Sequence, residues 1–234
     1  MPRENLDLVR ARLREVGRES TRIIAVSKTH GPERISEFLR YGQRDFGENR
    51  QNEARDKFPL VDLQGLKPEE LPVYHHIGPL QSGNARQIPG LFQYVHGASS
   101  VSALKVLAGA ALRRLEEGKT DRDPLRYLVQ IRLTGEESKE GGMTPEEFQN
   151  LDSLPENEAL RFSGFMTMGP AHQEPGETRE VFARLRELRD ECLPGGELSM
   201  GMSGDWEIAL EEGASMIRLG TILFGRRGEG PWRK

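Results

Sequence analysis

Eight short runs suited to buried strands recur along this chain, and helical patterns separate most of them. The runs are "IIAVS" (23–27), "RDFGEN" (44–49), "VYHHIG" (73–78), "QYVHGA" (93–98), "LRYLVQIR" (125–132), "LRFSGFMTM" (160–168), "ELSMGMS" (197–203) and "MIRLGT" (216–221). They begin about 20 to 37 residues apart, enough for a helix and its loops between neighbours. Strands alternating with helices in this way pair in parallel, and eight of them point to a closed (β/α)8 barrel more than to an open sheet. The expected fold class is α/β, a single TIM-type barrel.

The helical segments carry their own start and stop signals. Leu6, Val9, Leu13 and Val16 repeat at helical spacing before the first strand, and Gly17 is placed to end that helix in a left-handed conformation. This extra N-terminal helix is available as the eighth outer helix, since little chain follows the last strand. Pro32 and Gly42 bracket "PERISEFLRYG" in the usual order of helix start and helix end. Thr144, Pro145 and Glu147 spell a capping box for "TPEEFQNLDSL", and Phe182, Leu185 and Leu188 share one face of "GETREVFARLRELRDECL". "SVSALKVLAGAALRRLEEG" and "DWEIALEEG" are the remaining helical patterns, and "LTGEESKEGG" (133–142) reads as a strand-to-helix connection. One domain is expected over 1–225, followed by a loosely ordered tail at 226–234.

Composition narrows the partners. A chain of 234 residues with 35% hydrophobic content buries a sizeable core, and a net charge of -4 offers no basic excess for a nucleic-acid backbone. No stretch approaches the ~18 apolar residues of a membrane span, and "MPRENLDLVRARLREV" lacks the apolar core of a secretory signal. The single cysteine, Cys192, cannot form an internal disulfide, which suits a reducing cytoplasm. The expectation is a cytoplasmic monomer that binds neither nucleic acid nor membrane.

In such a barrel the C-terminal strand ends face the active site, and the loops after strands seven and eight frequently hold phosphate. Lys28 directly follows the first strand. Either its stem lies along apolar surface with the ammonium in water, or it loses solvation and offers a neutral amine to a carbonyl. After strand seven, Ser203 and Gly204 precede a helix and offer a hydroxyl and backbone N–H groups where the helix dipole favours an anion. Ser203 alone fits a plain N-cap equally well, as does Asp205. Strand eight ends "RLGT", where Gly220 allows close backbone approach and Thr221 adds a hydroxyl, and the pairing favours a phosphate cup. Arg218 falls on the barrel-facing side of that strand, where a guanidinium needs a partner. Glu48 or Asp45 would serve as a structural ion pair, and a ligand ring nitrogen is the functional alternative. An amine, a phosphate cup and a facing arginine together describe a pyridoxal-phosphate site.

The segments "AVSKTH", "FGEN", "HHIGPLQS", "GEESKEG", "GFMTMGP", "LSMGMSGDWEIALEEGASMIRLGT" and "LFG" are similar, in order and spacing, to conserved stations of the pyridoxal phosphate homeostasis proteins. That family resembles the N-terminal barrel domain of alanine racemase, fold type III of the pyridoxal-phosphate proteins. The match runs from about Ile23 to Gly225. The resemblance implies pyridoxal 5′-phosphate as the cofactor, held by Lys28 as a Schiff base, with Asn49 close by and Arg218 facing the pyridine nitrogen. It further implies Ser199, Ser203, Gly220 and Thr221 near the phosphate, and Met200 and Ile77 lining the pocket. The implied function is intracellular homeostasis of the cofactor without catalysis, with pyridoxal-phosphate-dependent apoenzymes as recipients. The chain departs from the family pattern at Gly83 and Asn84 (usually Asn-Lys), at Gly97 and Ser99 (usually Ser-x-Asp) and at Gly204 (usually Asn). These departures bear on contacts of the third and fourth loops and leave the cofactor positions standing.

Two enzyme classes compete with this reading. A pyridoxal-phosphate-dependent amino-acid racemase needs a second acid or base opposite Lys28, which alanine racemases take from a further C-terminal β-domain, whereas this chain ends at Lys234 just past the last strand. A Schiff-base aldolase needs the lysine and no cofactor, and gives no reason for Arg218 beside "LGT". A metal site is not expected: His75 and His76 are adjacent on a strand and point to opposite faces. Met168, Met200 and Met202 read as pocket lining or barrel filler.

Overall fold

The computed structural model describes residues 2–119, 123–134, 141–172 and 174–225. Each of the eight runs forms a strand: β1 (Arg22–Val26), β2 (Asp45–Glu48), β3 (Val73–Pro79), β4 (Tyr94–Ala98), β5 (Leu125–Gln130), β6 (Leu160–Met166), β7 (Glu197–Ser199) and β8 (Met216–Leu219). All neighbours pair in parallel and β8 returns to β1, so the sheet closes in chain order and has no free edge. In the closing pair Ala25 stands opposite Leu219, which brings the segment after β8 beside the segment after β1.

The outer layer comprises α1 (Pro2–Glu15), α2 (Pro32–Arg40), α3 (Gln51–Lys57), α4 (Ser82–Ala85), α5 (Val101–Glu116), α6 (Pro145–Gln149), α7 (Pro175–Cys192), α8 (Trp206–Glu211) and α9 (Thr221–Phe224). The N-terminal helix takes the outer place beside β8: Leu6, Val9 and Leu13 are buried, and Asn5 Nδ2 donates to Ile222 O at 2.7 Å. It stops as its sequence requires, with Gly17 at φ 66° and Arg18 N donating to Leu13 O. The capping box at α6 also forms, Glu147 N donating to Thr144 Oγ1 and Thr144 N to Glu147 Oε2.

The outline differs from the sequence pattern in length more than in kind. α6 is one turn instead of three, because Asn150, Asp152 and Ser153 favour turns and Pro155 bars continuation. β7 stops at Ser199, because Gly201 adopts φ 90° and any Cβ there would lie 2.6 Å from that of Ala209. α3, α4 and α9 are short additions without a clear periodic signal. The tail expected at 226–234 lies outside the described residues, as do positions 135–140 of the β5–α6 connection.

The barrel interior is only half apolar. Ile24, Tyr94, Leu128, Met166 and Met216 form an inner cluster. Around them the inward positions carry His75, His96, Ser199 and Arg218, all buried. Closer to the N-terminal end, Arg22 pairs with Glu197, and Arg126 donates to the Tyr94 hydroxyl at 3.0 Å. A second, larger apolar cluster fills the space between strands and helices.

Candidate functional site

Lys28 lies in a tight turn just past β1, half-buried at the C-terminal mouth of the barrel. The turn is held hard on both sides of it. Ser27 Oγ donates to Glu48 Oε1 at 2.7 Å, Ser27 O accepts from Lys57 Nζ at 3.0 Å, and Thr29 N donates to Glu53 Oε1 at 2.7 Å. Lys57 Nζ joins the two acids, at 2.8 Å from Glu48 and 2.7 Å from Glu53. Thr29 has φ 68°, a left-handed value that a β-branched residue adopts only under constraint, and among the described residues it is the one non-glycine that does so. The strain sits next to the lysine, in a turn that the buried ion group holds on both sides.

That ion group lies between the barrel and α3, with Glu48 and Lys57 wholly buried. Burial pushes the Glu48 carboxyl up to about 7, against the pull of Lys57 and the Ser27 hydroxyl. Sequence reasoning missed Lys57 and Glu53, because "QNEARDK" has the composition of a solvated helix face. The available signal was Glu48, an acid in a strand too short to leave it in water.

Arg218 projects into the interior from β8 and is almost fully buried. Neither suggested acid pairs with it: Glu48 faces the opposite side of the sheet and holds Lys57, while Asp45 is bound to His75 Nε2 at 2.8 Å. The guanidinium donates instead to Ser199 Oγ at 2.7 Å and to Thr167 O at 3.0 Å. Among the described residues no carboxylate lies within ion-pair distance of it, and burial lowers its pKa to about 10, still cationic at neutral pH. A buried cation that hydrogen-bonds only neutral groups, with the Asp205 charge acting on it from beyond ion-pair distance, fits a ligand that brings electron density to it.

Ser203 and Thr221 come together across the β7–α8 and β8–α9 loops, where Ile222 N donates to Ser203 Oγ at 3.4 Å. No described residue accepts from the N–H groups of Ser203 or Gly204. Asp205 Oδ1 accepts from Met202 N, so the acid shapes the loop and does not cap α8. A Cβ on Gly220 would sit 3.6 Å from that of Val26, two residues before Lys28. Hydroxyls and open N–H groups at this place suit a phosphate.

The remaining expected residues divide. Asn49 directly follows β2, and its carbonyl lies close to Gly78, where a Cβ would come within 2.2 Å. Ile77 leans over Gly47 beside Ile24 in the interior. Ser199 is wholly buried beneath Arg218, as its partner. Met200 follows Ser199 and is wholly buried in the larger apolar cluster. His75 and His76 do diverge: His75 bonds inside the barrel, while His76 meets the Phe92 ring outside at 5.2 Å. Gly97 has a local reason, since a Cβ there would lie 2.2 Å from Gly78 O, and Asn84 closes its turn by accepting from Gln81 N.

Fold and site thus define a parallel (β/α)8 barrel that places a lysine, a buried guanidinium and two loops with hydroxyls and open N–H groups at the C-terminal ends of its strands. Residues 3–228 match the family model for the alanine racemase N-terminal domain. The pyridoxal phosphate homeostasis protein of Pseudomonas aeruginosa is 38% identical over 97% of this chain and 96% of its own length. That of Aquifex aeolicus is 36% identical over 90% of this chain and 89% of its own. Among solved structures, PipY of Synechococcus elongatus with PLP bound superposes at a TM-score of 0.78 with 33% identity, over 96% of this chain and 100% of that one. Alanine racemase of Clostridium difficile, at 14% identity and a TM-score of 0.67 over 98% of this chain and 57% of that one, shares the fold. The chain belongs to the pyridoxal phosphate homeostasis protein family, within the alanine racemase N-terminal-domain fold.

Proposed function

We propose that this protein binds pyridoxal 5′-phosphate at the barrel mouth and holds it for release, without turning over amino acids. The observation that carries the reading is Arg218, a buried cation whose hydrogen-bond partners are a serine hydroxyl and a carbonyl. Bound pyridoxal phosphate would supply an aldehyde able to condense reversibly with an amine, and a ring able to withdraw electrons from the linkage.

Lys28 is the amine in this reading, aimed by the strained turn that Lys57, Glu48 and Glu53 clamp. Ser203, Gly204, Gly220 and Thr221 take the phosphate, while Asn49 and Ile77 border the ring. Arg218 gives the pyridine nitrogen a hydrogen bond and keeps its own proton, because even lowered to about 10 its pKa leaves it charged at neutral pH. The ring then withdraws electrons weakly, which suits storage better than amino-acid chemistry. The unit is the barrel of 1–225, acting as a cytoplasmic monomer, with pyridoxal-phosphate-dependent apoenzymes as recipients.

Borohydride reduction of the protein mixed with pyridoxal phosphate, followed by peptide mapping, tests the binding half. The pyridoxyl group is expected on Lys28, and its recovery on Lys105 or Lys139 would refute the assignment. Incubation with L-alanine in deuterium oxide tests the other half. Robust Cα exchange or D-alanine formation that vanishes in Lys28→Ala would replace the storage reading with a racemase.

A further inference from the structure

One hydrogen-bonded chain crosses the barrel interior from Arg218 to Asp45. Its distances are 2.7 Å from Arg218 to Ser199 Oγ, 2.8 Å from Ser199 Oγ to His96 Nδ1, 2.9 Å from His96 Nε2 to His75 Nδ1 and 2.8 Å from His75 Nε2 to Asp45 Oδ1. The two ends fix every proton between them. A carboxylate only accepts, so His75 carries its proton on Nε2 and presents a bare Nδ1. His96 must then donate from Nε2, which leaves its own Nδ1 bare. The Ser199 hydroxyl therefore donates to His96 and accepts from Arg218, since a guanidinium only donates. Each donor points towards Asp45, and each interior nitrogen and oxygen of the chain is engaged.

The surroundings hold this pattern in place. Burial lowers the pKa of both histidines, and the positive charges of Arg22 and Arg218 add to that effect at His96. An imidazolium at His75 would reverse the bond to His96 and put another cation beside Arg22, whose guanidinium covers the Tyr94 ring at 4.6 Å. Tyr94 in turn stacks on His75 at 4.7 Å. Of the other charged groups near the chain, Glu197 and Arg126 are engaged with Arg22 and Tyr94, and the Asp205 charge acts on Arg218 from the β7–α8 loop. Asp45 is the one member with appreciable access to solvent, its side chain 16% exposed at the N-terminal end of the barrel.

We propose that Asp45, His75, His96 and Ser199 are positioning residues that connect Arg218 to a remote counter-ion, orient its guanidinium and set the hydrogen bond it gives to the pyridine nitrogen. The carboxylate is too far to pair with Arg218 directly, yet the aligned bonds let it act on the arginine through neutral groups. Two of the five guanidinium N–H groups are consumed by Ser199 and Thr167, and the rest are left for a ligand. The proposal rests on the cofactor reading above, and its test separates the two.

The first measurement needs no cofactor. Two-bond 1H–15N correlation spectra of the labelled protein should show His75 and His96 as neutral Nε2–H tautomers across the neutral pH range. In Asp45→Asn the amide can accept from His75 Nε2 or donate to it, and in either case His75 and His96 should hold the same tautomer and change together, because the bond between them needs one donor and one acceptor. The second measurement is cofactor affinity by spectrophotometric titration. Ser199→Ala and His96→Phe should weaken pyridoxal phosphate roughly tenfold and shift the absorption band of the bound form, and Ser199→Thr, which keeps the hydroxyl, should restore both. An Nδ1–H tautomer or imidazolium at either histidine in the unsubstituted protein, or unlike tautomers at the two histidines in Asp45→Asn, would overturn the chain. Normal affinity and spectrum in Ser199→Ala would overturn its role towards the cofactor. Failure of pyridoxal phosphate to bind the unsubstituted protein would overturn the cofactor reading while leaving the tautomer result intact.

Discussion

Replacing Lys57 with methionine tests the clamp beneath Lys28. The substitution keeps most of the buried stem and removes the charge, together with the bonds to Ser27 O, Glu48 Oε1 and Glu53 Oε1. Glu53 is 10% exposed and can turn outward, but Glu48 is wholly buried and cannot reach water. In the intact protein the Glu48 pKa stands at about 7 against 4.5, a difference of roughly 3 kcal/mol between its protonation states. Because the folded value is raised, this contribution is complete below about pH 4.5 and is lost as pH rises through about 7. Loss of Lys57 raises the carboxyl further and extends the loss to higher pH. Lys57→Met is therefore expected to cost about 3–5 kcal/mol near pH 8 and distinctly less near pH 5, where Glu48 carries a proton in both proteins. Urea unfolding at the two pH values measures this directly from the midpoints, provided the slope is unchanged. Adding Glu48→Gln to the variant should recover most of the loss at the higher pH, since no buried charge then remains unpaired. An equal cost at both pH values, or a double variant no more stable than the single, would refute the reasoning.

On the proposed reading Thr221→Ala and Ser203→Ala would each remove a hydrogen bond to the phosphate, worth ~1.5–3 kcal/mol, and should weaken pyridoxal phosphate roughly ten- to over a hundredfold in a spectrophotometric titration. Pyridoxal without its phosphate should bind the unsubstituted protein poorly, and equal affinity for the two compounds would remove the phosphate cup. Arg218→Met removes a buried cation that hydrogen-bonds only neutral groups and feels the Asp205 charge without an ion-pair contact, so thermal unfolding without cofactor should show little loss of stability while pyridoxal phosphate affinity falls. Gly201→Ala forces a side chain onto a backbone at φ 90° and within 2.6 Å of Ala209 Cβ, and should cost at least about 2 kcal/mol in urea unfolding and weaken pyridoxal phosphate by displacing the Ser203 loop.

Strand count, barrel closure and the place of Lys28, Arg218 and the loops after strands seven and eight were legible in the amino-acid order, for a physical reason. Strand and helix periods are local properties, turn residues mark where they change, and a (β/α)8 barrel sends the end of every strand to the same face. Gly17, Pro32 and Thr144 act within a few residues of themselves and so are legible from their neighbours, whereas the need for Gly201 comes from Ala209 packed against it. The partners of buried charges obey no such local rule. Arg218 reads as an arginine on an inward strand position, but that it bonds Ser199 and Thr167, leaving Glu48 to Lys57 and Asp45 to His75, follows from barrel register and from which face of each strand meets which neighbour. Lys57 has the sequence context of a solvated residue and becomes wholly buried because α3 packs it against the end of β2. The histidine chain joins positions 45, 75, 96, 199 and 218, a relation that exists only once the sheet has closed and turned those side chains into one interior.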